Sequence, residues 1–125
     1  RTKDLAGFHH RLGRALESAG DDPGALEQFD AAFKIDLQSI AILRDLGKLT
    51  YRMGDYDRSQ RTFRALLLQK LNADSGITKG DVYYYLADMT AKLGDKPKAV
   101  TMLERAIAED KGHANAQALL DQFKA

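Results

Sequence analysis

The chain contains no cysteine and no tryptophan, and only two of its 125 residues are proline. Without cysteine it has no disulfide, thiolate metal site or thiol nucleophile, and the redox compartment is left open. No apolar run approaches the roughly 18 residues that span a bilayer. The longest is the "ALLL" of residues 65–68, so no membrane insertion is expected. Charge of either sign is not in excess, since 19 basic residues face 18 acidic ones for a formal +1. That balance gives no general drive toward nucleic acid or anionic lipid, and no nucleic-acid partner is expected. Catalytic patterns are missing too. There is no Ser/His/Asp order, no Cys/His pair and no His-Glu-x-x-His zinc helix, and "GITKGD" lacks the spacing and Lys-Ser/Thr ending of a phosphate loop. His9 and His10 are neighbours, which on a helix point about 100° apart and cannot readily share an ion. A surface or packing role is expected for them and for His113. The expectation is a non-enzymatic chain without cofactor or metal.

What is present is 44% hydrophobic and 30% charged, dominated by Ala, Leu, Lys, Arg, Asp and Glu, as in helical proteins. The length suits one compact domain or a short repeat array. The chain begins "RTKDLAG", with no initiator methionine or signal peptide. It is expected to be a piece of a longer protein, with the cytoplasm as default compartment.

One pair of residues organises the rest. Gly-Asp occurs at Gly20-Asp21, Gly54-Asp55 and Gly94-Asp95, so that 34 residues separate the first two glycines and 40 the second two. Such a period signals stacked supersecondary units. At one offset upstream lie Leu12-Gly13, Leu46-Gly47 and Leu86-Ala87. Downstream come Ala25, Ser59 and Ala99, then Phe29, Phe63 and Leu103, then Ala32, Leu66 and Ala106. Apolar residues recur three and four apart on both sides of each turn, which predicts two amphipathic helices per unit. Glycine supplies the left-handed residue that ends the first helix, and Asp caps the next. Pro23 and Pro97 sit in the first turn of a second helix, where a missing amide hydrogen costs nothing. The small residues at Gly13, Gly47 and Ala87 let the paired helices approach closely beside Phe29, Phe63 and Leu103.

The predicted helices run at about 6–19, 23–36, 39–53, 57–72, 79–93, 97–110 and 113–124. They make repeats at about 6–39, 40–79 and 80–113 within one domain over 1–125, closed by a capping helix. The six extra residues of the second interval fall in "LQKLNADSGITKGD", read as a lengthened helix followed by an extended loop.

The stretch "LGKLTYRMGDYDRSQRTFRALL", with Leu-Gly, Gly-Asp-Tyr and then Ala, Phe and Ala at these offsets in three copies, resembles the tetratricopeptide repeat. The resemblance covers nearly the whole chain, although Asp22 and Lys96 replace the usual aromatic and the repeat-ending proline is missing. It implies an all-α, right-handed α-solenoid whose first helices line a concave groove that holds a partner's peptide or helix. On that face it places His10, Arg14, Arg44, Lys48, Tyr51, Tyr84, Asp88 and Asn115, with Gln122 beside them. Arg44 and Lys48 stack four apart and would attract a carboxylate-bearing segment, with Asp45 reaching Lys48 to ease their repulsion. Tyr51 and Tyr84 would add flat contact surface. Tyr83 is expected in the core and Tyr85 at an edge. The clamp that tetratricopeptide co-chaperones close on heat-shock-protein tails is not reproduced, since His10 and Arg14, Asp45, and Asp81 and Tyr85 stand at the matching places. Arg58, Arg61 and Arg64 form a second basic cluster on an outer helix. The leading expectation is a protein-interaction module for an acidic protein or peptide partner. The alternative is a scaffold or self-association segment of a larger assembly, in which the repeats act as spacer or homo-oligomer surface and the concave face is empty.

Overall fold

The computed structural model of the protein describes residues 2–125. Its seven helices are α1 (Thr2–Ser18), α2 (Asp22–Ile35), α3 (Ile40–Arg52), α4 (Tyr56–Leu67), α5 (Lys79–Lys92), α6 (Lys96–Glu109) and α7 (Ala114–Lys124). No strand occurs among the described residues, so the fold class is all-α, made of helix-turn-helix repeats. The chain forms two compact units, one up to Ala65 and the other Leu66–Ala125.

The three Gly-Asp turns are one device used three times. Gly20, Gly54 and Gly94 take φ of 85°, 83° and 101°, a left-handed conformation that costs a residue with a Cβ. The amide of the following Asp then donates back five residues, from Asp21 to Leu16 O (2.8 Å), Asp55 to Thr50 O (2.9 Å) and Asp95 to Thr90 O (3.0 Å). These bonds satisfy carbonyls that the end of a helix leaves open. The same Asp side chains cap the next helix, accepting the Gly24 amide at 2.9 Å, the Arg58 amide at 3.4 Å and the Lys98 amide at 3.1 Å. Two of the capped helices, α2 and α6, carry proline in the first turn as expected.

In the first unit, Ala25, Phe29, Leu46 and Leu49 form one buried cluster and Ala6, Ala32 and Ile42 another. Close helix approach is literal here. A Cβ placed on Gly13 would meet the Phe29 ring at 2.6 Å, and one on Gly47 would meet the Phe63 ring at 3.1 Å. Ser59, the small residue of the second repeat, spends its hydroxyl on Gly47 O at 2.8 Å. In the second unit Ala87, Ala99, Leu103, Ala106, Ala116 and Leu120 make the core, so α7 packs on α6.

One expected boundary is corrected. The helix predicted to reach residue 72 ends at Leu67, and residues 68–78 form the connection. Local polar chemistry outbids the helix there. Asn72 Oδ1 accepts the Asp74 amide at 2.8 Å, and Ser75 Oγ accepts the Asn72 amide at 2.9 Å. Asn and Ser satisfy the backbone in turns in just this way. Gly76 adds a left-handed residue at φ 70°, and Ile77, 4% exposed, anchors the segment. The helix α1 also starts earlier than the predicted residue 6.

Candidate functional site

In the first unit three of the expected interaction residues converge on a group the sequence reading had assigned elsewhere. Asp45 was expected to reach Lys48. Its oxygens are instead taken by His10 Nε2 at 2.6 Å and Arg44 Nε at 3.0 Å, with Arg14 Nε at 3.9 Å. His10 and Asp45 side chains are each 14% exposed and Arg44 17%, whereas Arg14 stands out at 62%. Burial alone raises the Asp45 pKa. Hydrogen bonds from Arg44 and His10, with the charges of both, outweigh it and hold the carboxyl below its ordinary value. With the Asp45 hydrogen bond on Nε2, His10 donates that proton. Its ring also lies against Phe29, centroids 5.7 Å apart, which ties the polar cluster to the core.

Lys48 is one turn along α3 from Arg44, exposed, and makes no ion pair among the described residues. Tyr51 is half-buried, its ring 6.0 Å from that of Tyr56. Taken together, Arg14, Arg44 and Lys48 bring three positive charges against the single carboxylate of Asp45. The patch therefore carries a local excess of positive charge.

Elsewhere on the unit, Arg52 bridges two acidic side chains, Glu17 and Asp22, the latter at 2.7 Å. Of the second basic cluster, Arg58 is committed to Asp30. Arg58 and Arg61 also rim a cleft of about 180 Å³ floored by Phe33, Leu43 and Leu46.

The second unit treats its candidates differently. Tyr84 is half-buried, its ring 5.5 Å from Tyr85 and 5.7 Å from His113. Burial, and then the nearby Asp88 charge, raise the Tyr84 pKa, so its hydroxyl stays protonated. Burial and Asp81 raise that of Tyr85. Asp88 is only 12% exposed and is held by Lys92 at 2.9 Å. Asn115 and Gln122 are exposed on α7. Tyr83 packs on the core cluster and carries Arg105 over its ring at 5.3 Å.

A further cluster joins residues that the sequence pattern had not brought together. His113 caps α7, its Nδ1 accepting the Ala116 amide at 3.1 Å, and its Nε2 donates to Asp81 Oδ1 at 2.7 Å. Asp81 is itself half of a capping box with Thr78 on α5, and Asp110 accepts from the Thr78 hydroxyl at 3.1 Å. The chain closes tightly here, for a Cβ on Gly80 would lie 2.5 Å from Asp110 Cβ. Atoms of Asp81, Asp110 and His113 lie within 4.8 Å of one another, a spacing that could hold a metal ion. Both His113 nitrogens are already used, one as an acceptor from backbone and one as a donor to Asp81. A cation would have to displace both arrangements, so the cluster reads as a joint between α5, α6 and α7.

Each of these links spans about one repeat: 35 residues from His10 to Asp45 and 32 from Asp81 to His113. Searching the sequence for opposite charges at the repeat offset, give or take a few residues, would have flagged both.

Comparison with known proteins bears on the fold. Residues 81–113 match the family model of the tetratricopeptide repeat. No curated protein sequence matches the chain. Among solved structures the chain is similar to MamA, with 22% identity over 96% of this chain and 62% of that one, at a TM-score of 0.80. This chain therefore spans less than two thirds of MamA. It is similar to the first TPR of Spaghetti (RPAP3), solved with the HSP90 peptide SRMEEVD, at 11% identity over 98% of this chain and 92% of that one, TM-score 0.79. A third likeness is to the Yersinia enterocolitica type III secretion chaperone SycD, solved with a peptide of the translocator YopD. Its identity is 16% over 97% of this chain and 93% of that one, TM-score 0.79. At such identities the likeness is one of fold. The repeated Gly-Asp turns, the small residues under Phe29 and Phe63, the family match and these neighbours agree that residues 81–113 are a tetratricopeptide repeat and that the chain has the fold of tetratricopeptide repeat proteins.

Proposed function

We propose that the chain is a non-enzymatic protein-interaction module whose first unit receives an acidic peptide or helix of a partner protein. The observation that carries this reading is the convergence of Arg14 and Arg44 on the mostly buried Asp45, with Lys48 exposed one turn away. Asp45 holds Arg44 in place and offsets one positive charge, so the remaining two are presented by a preorganised surface. Tyr51 borders the patch with a partly apolar, hydrogen-bonding ring. Two neighbours of the same fold were solved with peptides in place, which supports a peptide as the kind of partner. Tyr84 and Asn115 are contact candidates of the second unit in the same reading. Asp88, held by Lys92, is a weaker one.

The burial of these groups decides which variant tests the idea. Reversing Arg44 would set a second carboxylate beside Asp45 in a mostly buried place and destabilise the unit for reasons unrelated to binding. Arg14→Glu with Lys48→Glu alters exposed groups only. A diverse peptide array run with the native chain and this double variant should show capture of acidic peptides that the variant loses while its helicity is unchanged. Capture by neither protein, together with a mass that rises with concentration in sedimentation, would replace this reading with the self-association scaffold.

A further inference from the structure

The helix α1 carries a face that the cationic patch does not use. Leu5, Phe8 and Leu12 recur three and four apart and are 50%, 52% and 37% exposed. By the 100° advance per residue they form one apolar stripe on roughly the opposite side of the helix from His10. Single exposed apolar residues are ordinary, whereas a continuous stripe marks a surface that something covers.

The repeat itself shows what covers it. Phe8 and Leu12 are in register with Ile42 and Leu46 of α3, 34 residues on. Those two are 3% and 1% exposed, because Ile42 lies against Ala32 and Leu46 against Ala25 and Phe29 of α2. The same positions of α7 are Ala116 and Leu120, 0% and 6% exposed under Ala99, Leu103 and Ala106 of α6. In both cases a first-type helix hides this stripe beneath the second helix of the preceding repeat. Each covering helix presents one pattern: alanine, then Phe or Leu four residues on, then alanine three further on.

We propose that the α1 stripe is a docking site for an amphipathic partner helix of that pattern, seated on Phe8 and Leu12 as α2 is seated on Ile42 and Leu46. The alanines allow close approach and the large residue fills the space beside Phe8 and Leu12. A second copy of this chain does not supply such a helix. Its Ala25, Phe29 and Ala32, and its Ala99, Leu103 and Ala106, are all 0% exposed and committed to their own cores.

Two probes test this. The first is a synthetic peptide of residues 22–35, with a Phe29→Asp peptide as control, titrated into isotope-labelled protein. Amide shifts should concentrate on α1, be absent with the control, and weaken about tenfold or more in a Phe8→Asp protein. An isolated helix of this length is marginal in water, so the second probe joins residues 22–39 directly to Ala6, copying the α2–α3 junction in register. Hydrogen exchange at Phe8 and Leu12 should slow, and Leu12 methyls should show contacts to the added helix. If neither probe perturbs α1, the proposal is wrong. A concentration-dependent dimer of the native chain that Phe8→Asp abolishes would also overturn it, by assigning the stripe to a second copy.

Discussion

The outer faces of α1 and α7 belong to helices of the same type, yet they are finished in opposite ways. The helix α1 leaves Leu5, Phe8 and Leu12 to solvent. The helix α7 turns its apolar residues inward, with Ala116 and Leu120 buried and Leu119 and Phe123 packed against the same cluster. Its exposed positions are polar or alanine, with Gln117 donating to Asp121 Oδ1 at 2.9 Å and Lys124 reaching Glu104 at 4.0 Å. A helical array needs polar outer faces where nothing covers it. One surface is therefore chemically sealed and the other open, and the difference lies in a few side chains on otherwise similar helices. The two histidine–aspartate pairs divide along the same line. His10–Asp45 sits within a cationic patch of the first unit, and His113–Asp81 locks a joint of the second.

The largest effect that would break this comparison is at the sealed face. Leu120→Ala should cost about 2–4 kcal/mol in urea unfolding, since it removes a buried side chain and leaves a cavity. Phe8→Ala, at the open face, should change stability by no more than about 0.5 kcal/mol. Equal losses would mean that Phe8 is a core residue. Next come the glycines. Gly13→Ala forces a Cβ to 2.6 Å from a fully buried ring and should cost about 1–2 kcal/mol after the better helix propensity of alanine is credited. Gly47→Ala meets its ring at 3.1 Å and should be nearly neutral. Thermal melts of the pair would show whether the two repeats are packed with different tolerance.

Smaller differences separate the histidines. His113→Ala leaves the Ala116 amide uncapped and removes the donor to Asp81, for about 1–2 kcal/mol. His10→Ala removes one of several donors around Asp45 and should cost about 0.5–1 kcal/mol. The smallest effect is on acid. Because the folded Asp45 pKa is depressed, its stabilisation is fully present above the ordinary carboxylate value of 3.8 and is lost as pH falls through the folded value. The stability gap between the native chain and Asp45→Asn should be constant near neutral pH and close only below about pH 4. A gap that closes well above pH 4 would assign the linkage to another group.

Much of the fold was legible in the residues. The Gly-Asp turns, the small residues at Gly13 and Gly47 and the apolar spacing are local or periodic, and the backbone responds to such signals within a few residues. The end of α4 was misjudged because Asn72 and Ser75 compete for backbone groups through hydrogen bonds whose geometry the pattern does not display. The candidate site was half legible. His10, Arg14 and Arg44 were picked out, but Asp45, the group that gathers them, was assigned to its neighbour on the helix.

Taken alone, then, the amino-acid order determined the repeat, its register, its turns and the apolar stripe of each helix, because all of these follow from spacing along one chain. Tertiary structure alone decided which charges neutralise one another, that His113 caps a helix while donating to Asp81, and that the stripe covered on α3 and α7 is bare on α1. Those outcomes depend on which side chains packing brings within about 3 Å across some 30 residues of chain, a distance over which hydrogen bonds form and sequence spacing carries no direction.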